Sequence, residues 1–197
     1  EMMGKYGFTG LEIAPTRIFP ENPYDRLEEA YAWKQSIENK YGLSVPSIQS
    51  IWYGKSENIF GTWEDRENLI DYTKRAIDFA SKIGCKNLVF GCPRNRNMPE
   101  DADRNVAFSF FREIGEYANH KGCVIGLEAN PPIYNTNFLN DTLSVVKLIE
   151  EIGGKGLGLN LDMGTMIENK ETLDIMERCV PYISHVHISE PGLKQIQ

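Results

Sequence analysis

Histidine and cysteine are scarce in this chain, with three and four among 197 residues. Cys85, Cys92, Cys123 and Cys179 lie far apart without CxxC spacing, which excludes a disulfide-rich scaffold and suits the reduced thiols of a cytoplasmic protein. No apolar run is long enough to cross a bilayer, and there is no low-complexity tract or linker. Neither GxGxxG nor GxxxxGK[ST] occurs, so the glycine fingerprint of a nucleotide-binding sheet is missing. Surplus positive charge is missing too. The 28 acidic and 21 basic side chains give −7, with pI near 5.1, a field that repels polyanions and disfavours nucleic acid as a partner. The chain shows no secretory hydrophobic segment, and it opens on Glu1-Met2-Met3 in a stretch that reads as helix, so any targeting segment would lie upstream.

What is present has the 41% hydrophobic and 25% charged composition of a folded globular protein, read here as one domain over residues 1–197. Short Val/Ile/Leu runs alternate with long amphipathic stretches at the rhythm of βα units. The expected strands are Gly10–Ala14, Pro46–Ile51, Asn87–Gly91, Val124–Glu128, Gly158–Asp162 and His185–Ser189. Between them fall helices near Asp25–Tyr41, Trp63–Ile83, Asp103–Lys121, Asp141–Ile152 and Lys170–Val180. In the second helix Leu69, Ile70, Thr73, Ala76, Ile77, Ala80 and Ile83 form one apolar stripe facing a sheet. Glycine closes several of them, at Gly42, Gly84, Gly122 and Gly153, as left-handed C-caps do.

Repeated βα units build either an open doubly wound sheet or a closed (β/α)8 barrel. Glu128, Asp162 and His187 fall at the C-terminal ends of three successive strands, where catalytic side chains converge in a barrel. The barrel is therefore expected. With about six βα units present, and Glu1–Gly7 reading as the tail of a helix, it is expected in truncated form, lacking its first and last strands.

Residues two apart on a strand share a face. Glu128 and Asn130 thus point together, as do Asn160 and Asp162, and His185 and His187. Carboxylates and imidazoles gathered inside a sheet are costly unless paired or bound to a cation. A divalent ion resolves the conflict, and the mixed oxygen and nitrogen donors suit Mn, Zn, Co or Mg. A metal-free, hydrogen-bonded polar layer is the plainer alternative. His185 reads as a group facing substrate or supporting a ligand rather than as a ligand itself. Arg94 and Arg96, in the loop after the third expected strand, are candidates to pair with a sugar hydroxyl, carboxylate or phosphate. Gln49, Trp52 and Tyr53 can wall a sugar ring, Asn130 sits in a stiff loop before Pro131 and Pro132, Cys92 reads as an incidental thiol, and His120 as a solvent-facing helix end.

The runs GFTGLEI (Gly7–Ile13), VIGLEAN (Val124–Asn130), LNLDMG (Leu159–Gly164) and HVHIS (His185–Ser189), in this order, resemble the xylose isomerase-like TIM-barrel superfamily, in particular its sugar phosphate isomerase/epimerase branch. The resemblance covers nearly the whole chain. It implies a metal held by Glu128, Asp162 and His187, with a fourth ligand, a last-strand glutamate, absent from this sequence. It also implies Glu12 as an inward glutamate near substrate. Thr165 stands where similar enzymes often carry the histidine of DxxH. With so few histidines, the multi-zinc cluster of endonuclease IV-like repair enzymes cannot be assembled.

The function implied is a metal-dependent isomerase or epimerase of a sugar, polyol or sugar-derived acid, cytoplasmic, acting on a small carbohydrate and able to form homo-oligomers. Glu128 would serve as ligand and acid/base, with His185, Asn130, Glu12 and Arg94 as substrate contacts. The competing readings are a lyase or dehydratase on the same scaffold, and a non-catalytic barrel that binds a ligand or partner.

Overall fold

The computed structural model describes residues 2–196. Two short helices, α1 (Met2–Lys5) and α2 (Pro15–Ile18), precede the long α3 (Leu27–Tyr41) and strand β1 (Ser47–Ile48). Then follow α4 (Trp63–Lys82), β2 (Asn87–Phe90), α5 (Asn105–His120), β3 (Val124–Glu128), α6 (Thr142–Ile152), β4 (Leu157–Asp162), α7 (Met163–Glu168), α8 (Leu173–Cys179) and β5 (Ile183–His187). The five strands form one parallel sheet in sequence order. Among the described residues, no helix is long and apolar enough to cross a membrane.

The expected strand Gly10–Ala14 is reduced to two isolated parallel bridges, Gly10 with Ser44 and Ile13 with Ile48. Its backbone pairs at either end, through Leu11 N–H to Ser44 O at 2.9 Å and Gln49 N–H to Ile13 O at 2.9 Å. Between them the neighbouring segment carries Pro46, which has no N–H to give, so the ladder is interrupted. The expected Pro46–Ile51 strand shortens to two residues because Ser50 adopts φ 54° and turns the chain away. The last helix starts later than its pattern suggests, after Lys170 takes φ 55°.

The outward faces of the strands bury Leu88, Phe90, Ile125, Leu127, Leu159 and Leu161 under the helices. Every member of the expected α4 stripe is buried, and its N-terminus is closed by a capping box between Thr62 and Asp65. Gly42, Gly84, Gly122 and Gly153 all have positive φ, so these helices do end in left-handed caps. Trp52, Phe90, Phe110 and Phe111 meet edge to face, with centroids 4.7 to 5.7 Å apart, a favoured aromatic geometry.

The sheet is strongly curled. Laid flat, the segment of Glu12 and strand β5 would lie five strand spacings apart, about 24 Å. Instead Glu12 Oε1 and His187 Nε2 are 3.0 Å apart. The inner face is narrow and keeps small or polar residues: an added Cβ at Gly126 would lie 3.0 Å from Asn87 Oδ1 and Ser184 Oγ. This is the half-barrel expected of a truncated (β/α)8 fold.

Candidate functional site

Glu128 closes β3, Asp162 closes β4, and His187 closes β5; Asp162 and His187 are register partners. On β5 an extra residue, Ser184, lies between the pairs Leu159 with Ile183 and Asn160 with His185. This bulge sets the strand's phase so that His185 and His187 both turn inward.

His187 is the hinge of the site. Its Nε2 lies 3.0 Å from Glu12 Oε1, and its Nδ1 lies 2.9 Å from Glu128 Oε2. Burial disfavours a charged ring, but hydrogen bonds to Glu12 and Glu128 outweigh it and raise the His187 pKa to about 10. Burial pushes Glu12 up most strongly of any single cause, yet hydrogen bonds from His187 and Ser47 and the charges of His187 and His185 together hold its carboxyl below the usual value. His185 Nε2 stands 3.1 Å from Glu12 Oε2, out of hydrogen-bond alignment, so that buried oxygen accepts no well-formed bond.

Glu128 is held from several sides. Asn160 Nδ2 donates to its Oε2 at 2.6 Å, and Asn130 Nδ2 donates to its Oε1 at 3.0 Å. Beneath them Arg96, with no exposed surface, donates from Nη2 to the Glu128 backbone oxygen at 2.9 Å and to Asn130 Oδ1 at 2.6 Å. Burial lowers the Arg96 pKa to about 10, so the guanidinium stays charged at neutral pH. Gly91 matters for room: a Cβ there would come 3.2 Å from Glu128 Oε1.

Asp162 faces the same cavity of about 310 Å3, lined also by Gln49, Glu128, Asn130, Tyr134 and His187. It does not close ranks with Glu128 and His187. Its Oδ1 accepts from Ser189 Oγ at 2.6 Å, and its Oδ2 accepts from Thr165 N at 2.9 Å as the N-cap of α7. Thr165, where similar enzymes often carry histidine, donates its backbone N–H to the Asp162 cap, and its Oγ1 lies 2.9 Å from both Asp162 Oδ2 and Ala129 O. Among the described residues, the three donors whose ligand atoms all lie within 4.8 Å of one another are Glu12, His185 and His187. The expected triad of Glu128, Asp162 and His187 forms no such set.

Arg94 is exposed and lines an adjoining cavity, not that of Glu128. The 3-10 turn Pro93–Asn95 sends the two arginines different ways, and Arg96 is the one that reaches the site. Trp52 is buried, with Nε1 donating to Thr73 Oγ1 at 2.8 Å. Burial pushes the Cys92 thiol up to about 12, so it stays protonated at neutral pH, and His120 is exposed at the end of α5. Ser189 also lines the Glu128 cavity, and its spacing of two from His187 is the sequence signal for a shared face.

The donors fit a divalent ion that takes oxygen and nitrogen ligands: a buried carboxylate oxygen without a hydrogen-bond donor, and an imidazole with a carboxylate oxygen at each nitrogen.

No curated protein sequence gives a significant match to the chain. Among solved structures, 3-keto-D-glucoside 4-epimerase from E. coli is similar over 99% of this chain and 76% of its own, with 21% identity and a TM-score of 0.75. D-psicose 3-epimerase, solved in the presence of D-fructose, is similar over 100% of this chain and 70% of its own, with 17% identity and a TM-score of 0.77. An AP endonuclease of family 2 from Brucella melitensis is similar over 100% of this chain and 76% of its own, with 18% identity and a TM-score of 0.71. At these identities the likeness speaks for the fold alone. The family model for the xylose isomerase-like TIM barrel matches residues 3–195, and the chain belongs to that family.

Proposed function

We propose that the protein is a divalent-metal-dependent isomerase or epimerase of a sugar, polyol or sugar-derived acid. The observation that carries this reading is the pairing of Glu128 with His187 Nδ1 at 2.9 Å on the rim where the strands end. Glu12 occupies the other ring nitrogen, as the supporting carboxylate of a ligating histidine does, leaving Nδ1, on the Glu128 side, as the atom that would ligate the ion. Glu128, Asp162 and His187 would hold the ion, with Ser189 and Thr165 orienting the Asp162 carboxylate. When bound, the ion polarises the substrate carbonyl and makes the neighbouring C–H acidic.

The protein's own part is proton movement and positioning. The Glu128 carboxylate takes the proton from the carbon beside the carbonyl, and the C–H electron pair moves to form the enediolate. Asn130 and Asn160 fix the direction in which Glu128 presents its oxygens. Protonation of the same carbon from the opposite face gives the epimer, and protonation of the neighbouring carbon gives the isomer. His185 and Glu12, which approach each other at 3.1 Å beside His187 and do not line the Glu128 cavity, would supply polar contacts for substrate hydroxyls only from behind the His187 ring. The four free cysteines fit a reducing compartment such as the cytoplasm.

The decisive experiment incubates the chain with Mn2+ and a panel of ketoses in D2O and follows deuterium incorporation beside the carbonyl by NMR. Ion-dependent incorporation that Glu128→Gln abolishes supports the reading. Release of water without exchange would assign a lyase, and no ion-dependent change in melting temperature would favour a binding protein. Cleavage of a duplex carrying an abasic site would revive the repair-enzyme reading, which the −7 charge and the carboxylates of Glu12, Glu128 and Asp162 oppose.

A further inference from the structure

A second cavity, of about 630 Å3, adjoins that of Glu128, and the two share Ser50, Cys92 and Pro93. Its walls are the loop after β1, through Trp52 to Lys55, and the loop after β2, through Arg94 and Asn95. These loops are tied together. Asn95 Nδ2 donates to Lys55 O at 3.1 Å and to Glu57 O at 2.8 Å, and Ile59 N–H donates to Asn95 O at 2.9 Å. Trp52 anchors the floor through its bond to Thr73 and its contact with Phe90.

At the seam of the two cavities the backbone is unusual. Ser50 and Cys92 hold φ of 54° and 40°, in a left-handed region that non-glycine residues seldom adopt and that clusters at binding sites.

Charge separates this cavity from the rest of the molecule. In a chain of net charge −7, its lining includes Lys55 and Arg94 and no carboxylate. Tyr53, 63% exposed, carries the surface on to a third cavity with Arg17 and Arg75 in its lining and again no carboxylate. Glu57 contacts Lys55 at 3.3 Å, and Asp25 pairs with Arg75. Among the described residues, Arg17 and Arg94 have no carboxylate within salt-bridge distance; Arg17 lies over the Tyr53 ring, 5.9 Å from its centroid.

We propose that the cavity between Tyr53, Lys55 and Arg94 is an anion subsite, which takes the phosphate or carboxylate at the far end of a sugar whose carbonyl end lies against Glu128. The assignment rests on the sugar isomerase reading above and narrows its substrates to anionic ones. Arg94 supplies a planar fork for a phosphate or carboxylate, Lys55 a point charge, and Tyr53 a face for the sugar chain between the two cavities.

The test measures binding to the 197-residue chain by calorimetry, with D-fructose, D-fructose 6-phosphate and D-glucuronate as probes. The anionic sugars should bind about tenfold more tightly than fructose at low salt, as a charge-assisted contact at a screened surface allows. That preference should shrink as ionic strength rises. Arg94→Gln should remove most of it, and Arg17→Gln a smaller part. Whichever anionic probe keeps the larger advantage identifies phosphate or carboxylate as the recognised group, and inorganic phosphate should compete with it. Equal binding of neutral and anionic sugars, or a preference untouched in both variants, overturns the subsite. Deuterium exchange is scored separately: exchange without anion preference sinks the subsite alone, and anion preference without exchange on any probe sinks the isomerase reading alone.

Discussion

Arg96 Nη2 donates to Asn130 Oδ1 at 2.6 Å, and this bond decides which way the Asn130 amide faces. A guanidinium only donates, so the amide must turn its oxygen toward Arg96 and its Nδ2 toward Glu128. The orientation of Glu128 is therefore set from a residue that never meets the cavity. Arg96→Met keeps the bulk, removes the fork and leaves the Glu128 backbone oxygen without its donor, at a cost of about 1–3 kcal/mol in stability. Under the proposed function it should also lower deuterium exchange by at least about tenfold in kcat with little change in KM. Arg96→Lys, which keeps one charge but not the paired geometry, should recover stability better than exchange.

Under the proposed function, protons and a divalent ion compete for His187. Its pKa, raised from an ordinary 6.5 to about 10, gives a stabilising contribution that is full below 6.5 and lost as pH rises through about 10. Glu12, held below its ordinary 4.5, contributes stability above that value that is lost on acidification. The metal-free protein should thus lose stability in alkali above neutrality, with the ring resonances titrating near 10 by NMR. A divalent ion needs the unprotonated Nδ1, so its binding should release a proton and tighten steeply with pH. A His187 ring that titrates near 6.5 in the chelated protein would contradict this.

Asp162 caps α7 and, under the proposed function, also holds the ion, and the two duties can be separated. Asparagine caps a helix as well as aspartate does, so Asp162→Asn should leave melting nearly unchanged, whereas Asp162→Ala should cost about 0.5–2 kcal/mol. If Asp162 is a metal donor, Asp162→Asn weakens the ion-dependent rise in melting temperature despite the intact fold. A rise equal to that of the parent protein, together with its loss in Glu12→Gln, would move the ion to the Glu12, His185 and His187 side.

Much of this architecture is legible in the sequence where the information is local. Val124–Glu128 reads as a strand to the residue, because an apolar run lies between the Gly122 cap and the Pro131 break. Gly10–Ala14 reads equally well, yet its ladder depends on Pro46, a residue more than 30 positions away that its own pattern does not contain. Asp162 reads from its strand end as a rim ligand, and nothing in that reading foresees that its carboxylate also caps α7 at Thr165. The choice of Arg96 over Arg94 turns on one 3-10 turn, below the resolution of periodicity. The contact between Glu12 and His187, 175 residues apart, follows from the curl of the sheet and is carried by no local signal.

Gly156 is a backbone position with no room for a side chain. It holds φ +84°, and a Cβ there would strike the Gly115 carbonyl and lie 2.7 Å from Asn119 N, so the turn between α6 and β4 sits directly on helix α5. The obstacle is backbone on both counts and cannot rotate aside. Gly156→Ala should combine the left-handed penalty with overpacking, about 2–5 kcal/mol in all, which for a chain of this size is on the order of 10 °C in melting temperature. Gly115→Ala meets Leu157 Cγ at 2.8 Å instead, a side chain that can shift, and should cost less. Urea unfolding of the two variants measures the difference, and equal losses would show that the α5–β4 approach yields more easily than its backbone contacts imply.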